Sequence, residues 1–159
     1  MRMIKIDSTF ISGMIKEAKN SARKRKNHNF HKVPEDTLQR MLHAMEPETY
    51  VQPHKHENPD KREAFIILKG KVAVVQFDEE GNVQDHIIMN HGLGNFGVDI
   101  QPGTWHTLIC LEPESVIYEV KDGPYNPSDD KKFAGWAPEE GDPDAMIFNK
   151  KIIRLLDLH

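Results

Sequence analysis

Disulfide bonds within the chain are excluded, because the sequence contains a single cysteine, Cys110. Long apolar segments are also missing, so no transmembrane helix and no membrane partner are expected. The N-terminal segment MRMIKIDSTF lacks the apolar core and the small-residue cleavage site of a signal peptide. Together these absences favour a reducing compartment, and we expect a cytoplasmic protein.

An excess of positive charge, which proteins that bind nucleic acids need, is absent as well. The chain has 21 lysine and arginine residues against 25 aspartate and glutamate residues, which gives a net charge of -4 at pH 7. One basic stretch, residues 23–26 (RKRK), stands alone without a wider patch. We therefore expect no nucleic acid partner.

Glycine and proline, by contrast, are plentiful, with ten residues of each in the chain. They separate short segments rich in β-branched residues, such as EAFIIL, VAVVQF and ESVIYEVK. The loop DEEGN between two such segments is typical of a β-hairpin. This succession of strands and tight turns predicts an all-β fold, either an antiparallel sandwich or a barrel.

The two ends of the chain differ from this β-rich middle. Residues 7–22 show apolar side chains at helical spacing, with Asp7 or Ser8 as the N-cap. After residue 122 comes a loop rich in Pro, Gly and Asp, and then the apolar segment MIFNKKIIRLLDLH, which suits a helix or a strand. A single domain is expected at this length, with an N-terminal helix and extended arm over residues 1–35, a barrel over residues 36–122, and a loop and C-terminal segment packed on the barrel over residues 123–159.

A pair of histidines, His54 and His56, has the spacing of side chains on one face of a strand. If the next strand, which begins near Glu63, pairs beside this one, its carboxylate faces the two imidazoles. The later turn and strand PGTWHT adds His106. Three imidazoles and one carboxylate suit a divalent metal such as Zn, Fe, Mn, Ni or Co, with positions open for water or substrate. Four protein ligands would also suffice to close a structural site.

The order of these residues resembles the two motifs of the cupin superfamily. The first motif combines a His-x-His pair, a carboxylate and a glycine, and it matches His54-Lys55-His56, Glu63 and Gly70. The second combines a glycine, a turn of proline and glycine, and a histidine, and it matches Gly97, Pro102-Gly103 and His106. The gap before the carboxylate is longer than usual, and proline and glycine are adjacent. The resemblance implies a cupin fold, a double-stranded β-helix or jelly-roll barrel, that holds one divalent metal ion.

Longer stretches narrow the resemblance. The chain is similar to the WbuC family of cupin-fold metalloproteins over about residues 7–139, in RKRKNHNFH, QRMLHAMEPETYVQPHKHENPDKREAFIILKG, PGTWHTL and YEVKDGPYNPSDDKKFAGWAPEE. Genes of that family tend to lie among those for bacterial O-antigen and other surface polysaccharides. The resemblance therefore implies a role in lipopolysaccharide biosynthesis, but it does not supply a settled reaction.

Polar side chains at alternate positions of RKRKNHNFH would share one face of a strand. They form either a solvated basic edge strand or a row facing an anionic, hydroxyl-rich ligand, because arginine forks suit carboxylate or phosphate oxygens. The substrate-binding candidates are this row and one residue on the same face as His54, namely Arg23, Arg25, Asn27, Asn29, His31 and Gln52. The orientation of His43, Glu119 and Lys121 toward or away from the barrel interior is left open.

Several functions fit these features, and no catalytic residue is assigned. The first is a metal-dependent enzyme acting on a sugar or nucleotide-sugar, such as an isomerase or epimerase. The alternatives are a dioxygenase-type cupin that uses Fe(II), a non-enzymatic cupin that binds a small sugar acid, and a barrel with a purely structural metal. A homodimer is expected, because it is the commonest symmetric oligomer.

Overall fold

The computed structural model of the protein describes residues 3–158. Two five-stranded antiparallel sheets form the body of the molecule, with one helix near each end of the chain. The elements in chain order are α1 (Ser8–Asn20), β1 (Arg25–Asn29), β2 (Leu38–Met45), β3 (His54–Lys55), β4 (Glu63–Lys69), β5 (Val72–Phe77), β6 (Val83–Met89), a 3₁₀ helix (His91–Leu93), β7 (Gly97–Ile100), β8 (Trp105–Cys110), β9 (Ser115–Asp122), β10 (Lys132–Phe133) and α2 (Ala145–Leu155).

The chain crosses repeatedly from one sheet to the other. The first sheet has the strand order β1-β2-β9-β4-β7, and the second has the order β10-β3-β8-β5-β6. Neighbours in space are therefore mostly distant in sequence, although β5 and β6 form the hairpin that the loop DEEGN predicted. The all-β prediction is confirmed.

A core of apolar side chains fills the space between the two sheets. Phe65 and Ile67 of β4 are each 1% exposed, and they meet Leu108 and Cys110 of β8. These residues alternate along their strands with residues of the opposite face, as packed sheets require. Cys110 is a buried member of this core, as expected for a small apolar side chain.

The helices cover the outer faces of the sheets. Asp7 caps α1, because its Oδ1 accepts a hydrogen bond of 3.0 Å from the Phe10 amide. The buried residues of α1, Met14, Ile15 and Ala18, pack on the first sheet. The C-terminal segment, for which helix and strand were both open, forms α2 and packs on the second sheet through Ile152. In the described part of the chain, no helix has the length and apolar character that crossing a membrane requires.

Gly70 lies at the turn where the chain leaves the first sheet for the second. Its φ of +82° is in the left-handed region that favours glycine. A Cβ atom at this position would lie 2.3 Å from Ser115 Oγ and 2.8 Å from Ser115 Cα. The glycine of the first cupin-like motif therefore permits close approach between the turn and β9.

Candidate metal centre

Four side chains converge in the barrel interior, three of them from strands and one from the residue just after a strand. His54 of β3 and His106 of β8 are direct partners in neighbouring strands of the second sheet. His56 follows β3, and Glu63 is the first residue of β4. Lys55, between the two histidines, points to the opposite face, where its Nζ lies 4.7 Å from the centre of the Trp105 ring.

Glu63 approaches the imidazoles from a direction that the sequence did not indicate. The strand of Glu63 does not pair beside the strand of His54, because β4 belongs to the first sheet and pairs with β7 and β9. The turn between β3 and β4 carries the chain across the barrel, so the carboxylate faces the imidazoles from the opposite wall. The four residues nevertheless meet as the pattern predicted.

The potential ligand atoms lie close together and are shielded from solvent. One ligand atom from each residue lies within 4.8 Å of the others. Glu63 Oε2 lies 2.9 Å from His106 Nε2 and 3.3 Å from His56 Nε2. All four residues are buried, with exposed fractions of 3% or less.

Each imidazole is oriented by a hydrogen bond from its Nδ1 atom to a main-chain carbonyl. These bonds assign the proton to Nδ1 and leave Nε2 free as a ligand atom. Histidines that bind metals are commonly held in this way. The acceptors are the Gln52 carbonyl at 2.9 Å for His54, the Thr104 carbonyl at 2.9 Å for His106 and the Asp130 carbonyl for His56.

The atoms that face the centre of the cluster have no hydrogen-bond partners. The Nε2 atoms of His54, His56 and His106 are all buried without a partner, and so is Oε2 of Glu63. Buried polar atoms are almost always paired, and each one left unpaired costs roughly 1–3 kcal/mol. Three nitrogen lone pairs and a carboxylate oxygen around a common space fit a divalent cation well.

The electrostatics of the cluster agree with this fit. Burial lowers the pKa of His54 well below its ordinary 6.5, and the positive charge of Lys131 acts in the same direction. Burial raises the pKa of Glu63, but the neighbouring imidazoles of His106 and His56 outweigh it and keep that pKa well below 4.5. A neutral imidazole and an ionised carboxylate are the protonation states that bind metals.

A polar cavity of about 470 Å³ opens toward solvent on the side of β1 and β2. We call it the outer cavity. Five of the six predicted substrate-binding residues line it, namely Arg23, Arg25, Asn27, Asn29 and His31. The sixth, Gln52, does not line it; its side-chain amide donates to the Ala134 carbonyl at 3.5 Å, while its own carbonyl holds His54.

The two arginines of the outer cavity already have a carboxylate partner. Glu140 accepts from Arg23 Nε at 2.5 Å and from Arg25 Nη2 at 3.0 Å. Hydrogen bonds to both guanidinium groups lower the pKa of Glu140 to about 2, although burial, the largest single influence, acts in the opposite direction. Beside them, Asn27 Nδ2 donates to Asn29 Oδ1 at 2.9 Å.

The three residues whose orientation was open all face the cavity. His43, Glu119 and Lys121 line its wall. His43 Nε2 lies 2.5 Å from Glu119 Oε2, which joins an imidazole and a carboxylate between the outer cavity and the cluster. Such a pair can hold or transfer a proton.

A buried ionic network that the sequence did not indicate supports the cluster from behind. Asp130 accepts from Lys61 Nζ at 2.9 Å and from Lys121 Nζ at 2.7 Å. Its main-chain carbonyl also accepts from His56. The three charged residues lie in a turn, in a strand and in a loop, so no periodic pattern links them in the sequence.

Lys131 was also missed, because it lies in the loop that was read as structural. It lines both the outer cavity and a smaller inner cavity that His54 and Glu63 border. The residue as a whole is exposed, but desolvation of its ammonium group by the surrounding protein lowers its pKa. The carboxylates of Glu119 and Glu63 act in the opposite direction.

Comparison with protein families gives one match. The family described as "Domain of unknown function (DUF6016)" matches residues 6–89, which is more than half of the 159 residues. A comparison with curated proteins finds no match.

Solved structures with the same architecture share little sequence with the chain. L-ribose isomerase from Geodermatophilus obscurus has a TM-score of 0.56 at 12% identity, over 70% of this chain and 69% of its own. CapF, a capsular polysaccharide assembling protein from Staphylococcus aureus, has a TM-score of 0.54 at 22% identity, over 71% of this chain and 32% of its own. Oxalate decarboxylase from Bacillus subtilis has a TM-score of 0.51 at 16% identity, over 69% of this chain and 27% of its own.

These neighbours are cupin-fold proteins, and the likeness shows that the chain has the cupin fold. The fold that the two motifs predicted is therefore confirmed. The chain spans about a third or less of the CapF and oxalate decarboxylase chains.

Proposed function

The chain belongs to the family described as Domain of unknown function (DUF6016), and on that premise we propose that it is a metal-binding cupin that binds and acts on a sugar or nucleotide-sugar. The single observation that supports this proposal most strongly is the set of unpartnered ligand atoms. The Nε2 atoms of three oriented imidazoles and one carboxylate oxygen surround a common buried space. A polar cavity leads toward it from solvent.

In this proposal His54, His56, Glu63 and His106 hold the ion. A divalent ion bound there supplies Lewis acidity toward a carbonyl or hydroxyl oxygen of the ligand. The metal is a transition ion such as Zn, Fe, Mn or Ni, since the ligand set mixes imidazole nitrogen with carboxylate oxygen. The packed apolar core of the barrel, with Phe65 and Leu108 among its members, fills the space between the sheets next to the cluster.

The chain's own side chains bind the ligand and move protons. Hydrogen-bonding groups for the ligand come from the outer cavity, with Gln52 beside His54 as a further candidate; the cavity candidates are Arg23, Arg25, Asn27, Asn29 and His31. His43 Nε2 and Glu119 Oε2, 2.5 Å apart, are the pair that passes a proton to or from the bound ligand. An isomerase or epimerase needs both a site that binds the sugar and a group that transfers a proton to or from it.

The neighbours and the sequence resemblance support the choice of substrate class. L-ribose isomerase and the capsular polysaccharide assembling protein CapF are both named for sugars. A WbuC-type role in bacterial surface polysaccharide (O-antigen) biosynthesis goes further, and it rests on the sequence resemblance. The cytoplasmic location and the homodimer stay predictions, as does the partition of the chain into an arm, a barrel and a C-terminal segment.

Metal content is the first test. We expect about one equivalent of a single transition metal in the purified native protein, measured by mass spectrometry, and its loss in the His54→Ala, His106→Ala double variant. The matched control is the double variant His28→Ala, His86→Ala, which removes two exposed histidines and should keep the metal. A native protein that carries no metal and takes none up would sink the proposal.

Catalysis is the second test. The metal-loaded protein is mixed with keto-sugar nucleotides and free ketoses in heavy water, and exchange of carbon-bound protons is followed by NMR. Exchange that stops on chelation supports the isomerase or epimerase. Binding without exchange favours the non-enzymatic cupin, and oxygen uptake by the iron-loaded protein favours the dioxygenase.

A further inference from the structure

The cations that line the outer cavity differ in whether a carboxylate bonds them directly. Arg23 and Arg25 share the carboxylate of Glu140. Lys121 bonds Asp130 at 2.7 Å. Lys131 is the exception: among residues 3–158, no carboxylate oxygen lies within 4.0 Å of its Nζ atom and no hydrogen bond engages it.

Lys131 is one of four residues that border both cavities, together with Arg25, His43 and Glu119. It borders the outer cavity together with Asn27 and Asn29, and it borders the inner cavity together with His54 and Glu63. A ligand that reaches from the outer cavity to the inner cavity therefore comes within reach of this ammonium group. Each of the other lysines and arginines that line the outer cavity, Arg23, Arg25 and Lys121, already bonds a carboxylate.

The backbone at Lys131 is fixed on both sides, while its side chain is free. The preceding residue, Asp130, is held by Lys61, Lys121 and His56. The following residue, Lys132, lies in β10 and pairs with Glu57 at 2.6 Å. A free ammonium group on a fixed backbone is preorganised for a ligand, because little of the backbone has to be ordered on binding.

We propose that Lys131 binds a carboxylate of the ligand, and that the ligand is a sugar acid with a single carboxylate, of the hexuronate class. This inference rests on the proposed sugar-binding function. One unpaired ammonium matches one carboxylate, whereas the diphosphate of a nucleotide-sugar requires several unpaired cations in the same space. The carboxamides of Asn27 and Asn29 supply donors and acceptors for the sugar hydroxyls in the same cavity.

The test compares acids with their neutral counterparts by isothermal titration calorimetry of the full chain. The probes are D-glucuronate, D-galacturonate and D-mannuronate, each beside the matching neutral hexose. We expect at least one acid to bind the native protein about tenfold or more tightly than its hexose, since a hydrogen bond to a charged group contributes about 1.5–3 kcal/mol.

Three variants assign that preference to one residue. Lys131→Met should remove the preference for the acid, and Lys131→Arg should retain most of it. The control is Lys132→Met, which removes the neighbouring ammonium that pairs with Glu57, and it should bind as the native protein does. Circular dichroism and metal content of each variant report whether the fold and the cluster are intact.

Three results would overturn the inference. One is a native protein with no preference for the acid in any of the three pairs, and another is a preference that survives in Lys131→Met. Tighter binding of UDP-glucose than of any hexuronate would also overturn it. Metal content and titrations repeated after chelation separate the two proposals. If the protein takes up no metal but prefers the acid, the role of Lys131 is supported and the metal-dependent function is rejected. If the protein binds metal but does not prefer the acid, the metal site is supported and the role of Lys131 is rejected.

Discussion

Two buried polar clusters lie next to each other in the barrel and differ in how their atoms are paired. In the first, His54, His56, Glu63 and His106 point unpartnered atoms at a common space. In the second, Lys61 and Lys121 both bond the carboxylate of Asp130. The members of both clusters are at most 5% exposed, so burial alone does not distinguish them.

The difference in pairing distinguishes a cluster that supports the fold from a cluster that binds a ligand. A buried charge network whose members are all paired holds its surroundings in one arrangement, because breaking any pair strands a charge. A buried set with unpaired atoms on one side is incomplete without a ligand. The carbonyl of Asp130 connects the two, since it orients His56 while the side chain of the same residue holds the two lysines.

The largest expected effect comes from breaking the paired cluster. Asp130→Ala removes the carboxylate that bonds both buried ammonium groups, which leaves Lys61 with only the Pro124 carbonyl and Lys121 with Glu119 at 4.0 Å, and we expect a loss of about 3–5 kcal/mol in the free energy of unfolding. Urea denaturation measures it. The adjacent, exposed Asp129→Ala is the control and should change stability by about 0.5 kcal/mol or less. A loss as small as the control's would mean that the pairing supports nothing.

A smaller effect should follow from emptying the unpaired cluster. At a free metal concentration about 100-fold above the dissociation constant, binding stabilises the folded state by about 2.7 kcal/mol, and a chelator should remove this increment. Thermal or urea unfolding with and without chelator measures the difference. The His54→Ala, His106→Ala variant should show no response to chelator, whereas Asp129→Ala should respond as the native protein does. Equal responses in all three proteins would contradict the assignment of the site.

The smallest effect concerns a paired group at the rim of the outer cavity. The pKa of Glu140 is about 2 in the folded protein, against an ordinary 4.5. A depressed carboxyl pKa contributes stability that is present above the unfolded pKa, so this contribution should be lost as the pH falls from about 4.5 toward 2. Glu140→Gln should therefore lose less stability over that window, measured by urea unfolding at several pH values. Glu139→Gln should retain the native slope, and a native slope in Glu140→Gln would count against the pairing.

Local features of the sequence predicted the fold well. The hairpin over β5 and β6 and the cap at Asp7 both depend on neighbours within a few residues. The motif spacing then identified the cupin fold. What the sequence did not indicate was the wall from which Glu63 approaches, because the choice between pairing beside β3 and crossing the barrel depends on contacts with β7 and β9.

The same limit applies to the site. Alternation along one strand was enough to bring Arg23, Asn27 and His31 to one cavity. The pairing of Arg23 with Glu140 links residues 117 positions apart, and the bond between Lys61 and Asp130 links residues 69 positions apart. No period in the sequence reports such pairs, and the unpaired state of Lys131 is defined only once every other charge has been located.

The hydrogen bonds that aim the three imidazoles end on carbonyl oxygens of the main chain. Every amino acid carries this oxygen, so the identity of residues 52, 104 and 130 is not what orients the rings. As far as the aim of the rings is concerned, these positions can therefore change during evolution while the geometry of the centre persists, provided that the local backbone path is kept. Relatives that preserve the centre can be expected to vary at positions 52 and 104, where the path of the chain is what selection must maintain, whereas Asp130 is also fixed by the bonds of its carboxylate to Lys61 and Lys121.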